Sequence, residues 1–393
     1  MTDILSQFRD EDLPLSIVDI GGAVRAGRRR RRIRTGLVAG VMAVAVAVAV
    51  GTPIWLFARP DPAPPIGPDC GSPQPSRQSL PTWERFDPLR LEIDTSEVTG
   101  YRVVTSATAT YGQLALLQAD GPRGDEPEAG VVTVMLFACG GEPRYFDGDQ
   151  PVPFDPGAGE PANPINGVSA YWLPSNKLFP GGSTNEGIAW QWTAGAWAMV
   201  VASPPPDTSD VDPKALRTVA TQVAPRLDFG AGTPVTAPVS LPVPDGMYLS
   251  STVTQRASDF GQEFPVGFRI GFDALGTSDL ANPFISAEGY QPLLMVDAST
   301  FTTLDDRPDN ATEYSEDLGY PAYQAVVNDG IRAVDALLVY DYFGFGLQIM
   351  PAELPGASTR DEKLSRAAEI FRTITVYPGA AGDLSAWGDP IVP

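Results

Sequence analysis

Two stretches of the chain resemble each other and decide the fold prediction: residues 100–108 read GYRVVTSAT, and residues 246–254 read GMYLSSTVT. Two further matches keep the same order: WQWTAGAWAMVV (190–201) with VYDYFGFGLQIM (339–350), and DPKALRTVATQV (212–223) with RDEKLSRAAEIF (360–371). The three offsets are 146, 149 and 148 residues. Three matches in one order at nearly one offset predict an internal duplication.

Each expected copy contains several strands followed by one helix. Apolar runs predict strands at 101–110, 131–138, 188–193 and 197–202, and again at 248–254, 267–272, 334–342 and 345–350. The first helix begins after the N-cap Asp212, and its apolar stripe comprises Leu216, Val219, Ala220 and Val223. The second begins with a capping box of Thr359 and Glu362, and its stripe comprises Leu364, Ala367, Ala368, Phe371 and Ile374.

Strand runs that end in a single helix favour an α+β class with antiparallel sheets rather than a doubly wound parallel sheet. The expected architecture is one N-terminal transmembrane helix followed by two similar antiparallel-sheet modules, each closed by a helix. The sequence divides into an Arg-rich cytoplasmic segment (1–35), the transmembrane helix (36–57), a Pro-rich stalk (58–81), module 1 (82–233) and module 2 (234–393).

The stretch 36–57, GLVAGVMAVAVAVAVGTPIWLF, has 22 residues and no charged side chain. At about 1.5 Å per residue, a helix of this length spans the hydrocarbon core of a bilayer. A helix is favoured over a strand because it satisfies its own backbone hydrogen bonds in lipid. The alternative is a cleaved signal peptide, whose apolar region is usually shorter and closer to the N-terminus.

A basic cluster before this stretch predicts the orientation. Its members are Arg28, Arg29, Arg30, Arg31, Arg32 and Arg34. The positive-inside rule places the N-terminus in the cytoplasm and residues 58–393 outside the cell membrane, with the lipid bilayer as the first partner. The cluster is read as a topology signal attracted to anionic lipid, with a cytoplasmic docking site as the alternative.

The N-terminal region resembles a loosely defined group of single-span membrane proteins encoded in actinobacterial genomes. The resemblance rests on Val18-Asp19-Ile20 and Ala23-Val24-Arg25-Ala26-Gly27, followed by the Arg run and the apolar stretch, and it covers about residues 13–57. It implies a location in the cell envelope and no catalytic activity.

Composition excludes several classes of function. The chain has a formal net charge of −21 and no histidine, so nucleic acid is not an expected partner and no His-based catalytic or metal site can form. Two cysteines without histidine do not make a zinc site. The acidic run at 305–317 does not match the spacing of a calcium-binding EF-hand. We therefore expect no catalytic, cofactor-binding or metal-binding residues.

The two cysteines, Cys70 and Cys139, both follow the apolar stretch. An even number of cysteines in an oxidising compartment predicts a disulfide bond between them.

Aromatic residues concentrate at Trp190, Trp192 and Trp197. Core packing of a hairpin is the favoured interpretation, and a ligand platform of the kind that binds sugars is the alternative.

The expected function is that of a bitopic, non-enzymatic envelope protein whose outer modules bind or scaffold an envelope protein or a glycan. One alternative is an envelope sensor that signals through the cytoplasmic segment. The other is a hydrolase that uses carboxylates alone, as glycosidases do. The oligomeric state is left open by the sequence.

Overall fold

A computed structural model describes residues 85–120, 130–139, 144–147, 150–155, 159–173, 185–204, 211–256, 266–274, 292–300, 304, 307–328 and 333–392. Its main feature is a 14-stranded sheet in which each strand pair is antiparallel. The sheet contains strands from both expected modules, so a single sheet runs through the described part of the chain.

The first half of the described chain forms eleven strands and one helix. They are β1 (Arg90–Asp94), β2 (Tyr101–Ala109), β3 (Gly112–Ala119), β4 (Val131–Phe137), β5 (Arg144–Asp147), β6 (Gln150–Pro153), β7 (Glu160–Ile165), β8 (Val168–Trp172), β9 (Glu186–Thr193), β10 (Ala196–Ser203), α1 (Pro213–Val223) and β11 (Asp228–Pro234).

The second half forms nine strands and one helix. They are β12 (Val239–Ser240), β13 (Met247–Gln255), β14 (Gly267–Ala274), β15 (Leu294–Ser299), β16 (Thr312–Glu313), β17 (Ala322–Asn328), β18 (Ala333–Tyr342), β19 (Phe345–Pro351), α2 (Arg360–Phe371) and β20 (Thr375–Val376).

The two halves have the same strand order when the sheet is read outward from its centre. In one direction the order is β2-β3-β4-β10-β9-β8-β7, and in the other it is β13-β14-β15-β19-β18-β17-β16. The register also agrees. One row of paired residues runs Ser106, Ala115, Val134, Val200, Ile188, and its counterpart runs Thr252, Ile270, Val296, Ile349, Leu337.

The halves meet where β2 pairs with β13, which we call the seam. Ala107 pairs with Val253 at its centre, and these residues are 146 positions apart, which is the offset read from the sequence. Pairing of equivalent residues is the arrangement of a two-fold symmetric, isologous interface. Each strand also carries a β-bulge at the same place, between Val103 and Thr105 in β2 and between Leu249 and Ser251 in β13.

Each helix packs on the sheet of its own half, α1 on β9 and β10 and α2 on β18 and β19. The predicted caps are confirmed: the Asp212 side chain accepts a hydrogen bond from the Lys214 N–H, and Thr359 and Glu362 form a capping box. The predicted apolar stripes are confirmed as buried surfaces, with Leu216 and Leu364 at equivalent places.

Each half also has a two-stranded ribbon that shares a buried apolar cluster with its helix, β1–β11 in the first half and β12–β20 in the second. The pairs Ile93–Phe229 and Val239–Val376 occupy equivalent positions in these ribbons. The residues just before β1 also touch the seam, because the carbonyl oxygen of Pro88 accepts hydrogen bonds from the hydroxyls of Thr108 and Thr252.

The predicted α+β fold class is wrong, because it expected more helix relative to strand than the structure contains. The described chain is mostly antiparallel sheet with two short helices of 11 and 12 residues, so a mainly β class replaces α+β. The sequence undercounted strands because some have no alternating pattern. β3 is buried along seven of its eight residues, and the edge strand β7 contains two prolines.

The predicted transmembrane helix is not among the helices that the structure describes. Within the described residues, no helix has both the length and the apolar character needed to cross a membrane. The stretch 36–57 and the Arg cluster before it lie outside the described residues.

The predicted disulfide pairs Cys139 with Cys70, which lies outside the described residues. Cys139, the described cysteine, is not a free thiol, and its pairing with Cys70 stays a prediction. A count of cysteines indicates which bond chemistry can form, whereas bonding requires Cα atoms within about 7 Å of each other.

Candidate functional site

The three predicted tryptophans do not form one platform. Trp197 pairs with Gln191 and Ala198 pairs with Trp190, and successive side chains of a strand point to opposite faces. Trp190 and Trp192 therefore lie on the helix-covered face of the sheet, and Trp197 lies on the other.

The surroundings of these rings are those of a packed interior. Trp192 stacks on Phe86 at 6.4 Å and meets Phe229 edge-on at 5.6 Å, and its indole N–H donates to the Phe137 carbonyl at 3.3 Å. Trp190 is 3% exposed. On the opposite face, Trp197 packs against Phe154 and Tyr171 at 6.3 and 6.5 Å.

The matching register of the two halves allows each buried polar residue to be compared with its equivalent. Glu92, on β1, is 4% exposed, and its equivalent 146 residues later is Pro238. Gln113 is fully buried opposite Thr108, and its equivalent is Phe268 opposite Thr254. The fold therefore forms with apolar residues at both places, and the polar pair is specific to the first half.

Glu92 and Gln113 are joined through the backbone. The side-chain oxygen of Gln113 accepts from the Glu92 N–H at 2.7 Å, and its amide donates to the Arg90 carbonyl at 2.7 Å. The carboxylate oxygen Oε2 of Glu92 is buried without a hydrogen-bond partner. Glu92 lies at a bulge where β11 carries Gly230 and Gly232, both with positive φ.

Burial raises the pKa of Glu92, against the opposing effects of the Arg90 charge and a hydrogen bond from the Gly232 N–H, and the Asp87 charge raises it further. A carboxyl group with a raised pKa in the folded state binds a proton at pH values where the unfolded chain does not. The free energy of unfolding should therefore fall as pH rises through the folded-state pKa.

We expect Glu92→Gln to remove that fall, because the amide has the same shape and does not titrate. The measurement is urea unfolding at pH values from about 4 to 8, a range that brackets the ordinary and raised pKa of a carboxyl group. Glu97→Gln removes a charge from an exposed position and is the control. If the free energy of unfolding varied with pH equally in Glu92→Gln and in the parent, Glu92 would not be the source of the fall.

The turn between β18 and β19 carries the second distinctive feature, which we call the tip: Asp341, Phe343 and Gly344. Phe343 has φ of 51° and Gly344 has φ of 86°, the signature of a type I′ turn. The turn between β7 and β8 has the same backbone, with Asn166 at 49° and Gly167 at 80°. Asparagine suits this left-handed position, whereas a bulky residue there is an outlier.

Phe343 is also the most exposed large apolar residue among those described, with 63% of its surface accessible. The corresponding turn of the first half is occupied by Ala194 and Gly195, at the same offset of 149 as the flanking strands. Asp341, two residues earlier, is exposed and also left-handed, with φ of 57°.

The tip rests on a rigid base. Tyr342, between the two exposed residues, is 8% exposed, and its hydroxyl donates to the Ile374 carbonyl at 2.8 Å. Its ring meets Phe371 of α2 edge-on at 5.0 Å and Tyr320 at 4.8 Å. Phe343 contacts the rings of Tyr342 and Tyr320, with centroids at 5.0 and 6.1 Å. The exposed ring is therefore held in place by packed neighbours.

Within the residues that the structure describes, no group of three or more acidic or cysteine side chains is placed to hold a metal ion. Comparisons with known proteins found no match: no family model, no curated protein and no solved structure matches this chain.

Sequence reasoning placed the turn at Phe343–Gly344 but missed its left-handed phenylalanine and the exposure of that ring. The available signal was that Phe-Gly stands where Asn-Gly or Asp-Gly is usual in a two-residue hairpin turn. Glu92 gave no such signal, because its burial depends on Gln113 and β11, which are distant in sequence.

Proposed function

We propose that this chain is a cell-envelope protein whose outer residues, 58–393, bind or scaffold a partner molecule, and that the tip is a point of contact. The support for a binding role is Phe343, an exposed aromatic ring in a left-handed turn. Aromatic residues dominate the energy of protein interfaces, and backbone strain concentrates at functional sites.

Stability does not explain phenylalanine at this position. The left-handed conformation costs a non-glycine residue about 1–2 kcal/mol, and contacts between aromatic rings return about 0.5–1.5 kcal/mol. Asn166 shows that this chain has the favourable residue in another turn of the same type. A ring that brings no clear gain to the fold is consistent with a role in recognition.

The envelope location is supported by the sequence of residues 25–57, where an Arg cluster precedes an uncharged stretch. Protease added to intact spheroplasts should degrade the outer residues and leave an N-terminal tag protected. A protected outer region would contradict the location.

The binding role is tested by photo-crosslinking in living cells. A photoreactive phenylalanine analogue at Phe343 should give crosslinked adducts, whereas the same analogue at Asn166, in the other type I′ turn, should not. We also expect Phe343→Asn to change the free energy of unfolding by less than about 1 kcal/mol, because relief of the left-handed strain offsets the lost ring contacts. Equal adduct formation at both turns, or none at Phe343, would reject the tip as a contact point.

A further inference from the structure

We propose that the partner bound at the tip is a basic polypeptide segment, whose arginine or lysine side chain lies over the Phe343 ring and pairs with Asp341. This inference rests on the proposed function and adds the chemistry of the partner. It follows from arginine contacts with three other partly exposed rings of this chain, and from the charge beside Phe343.

Three partly exposed rings elsewhere in the described chain are covered by arginine. The guanidinium of Arg217 lies 4.7 Å from the Trp172 ring centre, that of Arg307 lies 4.5 Å from Tyr323, and that of Arg85 lies 5.8 Å from Tyr111. These are cation–π distances. Phe343 is 63% exposed, so most of its surface is open to an arginine supplied by another molecule.

The charge at the tip favours a cation. Asp341 is exposed near the end of β18, two residues before Phe343. The chain as a whole has a formal net charge of −21, which attracts a basic partner and repels an anionic lipid surface. A second copy of this chain would bring the same negative charge, so a basic segment fits better than self-association.

The rigidity of the tip makes the contact specific. Asp341 and Phe343 both have left-handed backbone, and buried Tyr342 fixes the residue between them. A carboxylate and an aromatic ring two residues apart can bind the charge and the flat face of one guanidinium. Because the Phe343 ring is already packed against Tyr342 and Tyr320, the entropy cost of ordering it on binding is reduced.

The test uses the full-length protein and two labelled peptides that differ only in that one carries three arginines and the other three citrullines. Citrulline keeps the shape of arginine without its charge. We expect the arginine peptide to bind about tenfold more tightly, which corresponds to about 1.4 kcal/mol, within the range of cation–π and ion-pair contacts.

Two variants keep the left-handed turn, because asparagine tolerates it. Phe343→Asn and Asp341→Asn should each weaken binding of the arginine peptide about threefold or more. Asp120→Asn removes the same charge from an exposed position in the first half and should leave binding unchanged. Equal binding of both peptides, or equal loss in all three variants, would overturn the proposal.

The outcomes separate this inference from the proposed function. Adducts at Phe343 in cells without a preference for arginine would reject the basic partner and leave the binding role intact. Concentration-dependent self-association lost in Phe343→Asn would overturn the basic partner in favour of a second copy. Absence of adducts at Phe343 would reject the binding role itself.

Discussion

Replacement of Arg217 by alanine should lower the free energy of unfolding by about 3–5 kcal/mol, the cost of leaving a buried carboxylate unpaired. Arg217, on α1, bonds Glu186 of β9 at 2.8 Å, and the Glu186 side chain is only 2% exposed. The same guanidinium bonds Glu160 of β7 at 2.9 and 3.1 Å and covers the Trp172 ring. One side chain thus joins the helix to three strands.

The second half provides a matched control. Asp335 stands on β18 at the position equivalent to Glu186, and Arg360 bonds it at 3.0 Å, but the Asp335 side chain is 23% exposed. Because water can solvate that carboxylate, Arg360→Ala should cost only about 1 kcal/mol or less. The measurement is urea unfolding followed by tryptophan fluorescence. Equal losses for Arg217→Ala and Arg360→Ala would show that burial of Glu186 does not set the cost.

Leu364→Ala should lower the free energy of unfolding by about 2–5 kcal/mol, the usual cost of a cavity in a packed core. Leu364 is 1% exposed between α2 and its sheet, and Leu216 is its fully buried equivalent under α1. Because the seam joins the halves, both Leu216→Ala and Leu364→Ala should shift one common unfolding transition. Leu384→Ala, at a residue 41% exposed, should have little effect. Two separate transitions would show that the halves unfold independently.

Local signals in the sequence predicted the parts of the fold that depend on neighbouring residues. Asp212 and the pair Thr359 and Glu362 are helix caps that act within one turn, and the structure confirms them. The hairpin of β18 and β19 was predicted for the same reason, since its turn lies between two apolar runs.

The features that sequence reasoning missed depend on contacts between distant segments. The pairing of β2 with β13 joins residues about 146 positions apart. No local sequence pattern in either strand identifies the strand with which it pairs. The ribbon of the first half forms only when β11 pairs with β1. The burial of Glu92 follows from that pairing, so no local pattern could indicate it.

Comparison of the two halves separates residues needed for the fold from residues with another role. Leu216 and Leu364 are buried in both halves, as expected for shared core positions. Glu92 and Phe343 have no chemical counterpart in the other half, where Pro238 and Ala194 stand. The residues proposed for pH dependence and for binding are therefore those that the duplicated fold does not require.

The two halves form one sheet through the seam, and amide hydrogen exchange read by mass spectrometry can show whether they do so in solution. Residues 105–109 and 251–255 are paired with each other at the centre of the sheet. We predict that peptides covering them exchange slowly, as the interior of a sheet does, and much more slowly than the edge strand β7. If the halves were separate, both segments would be edge strands, and exchange as fast as that of β7 would contradict the account.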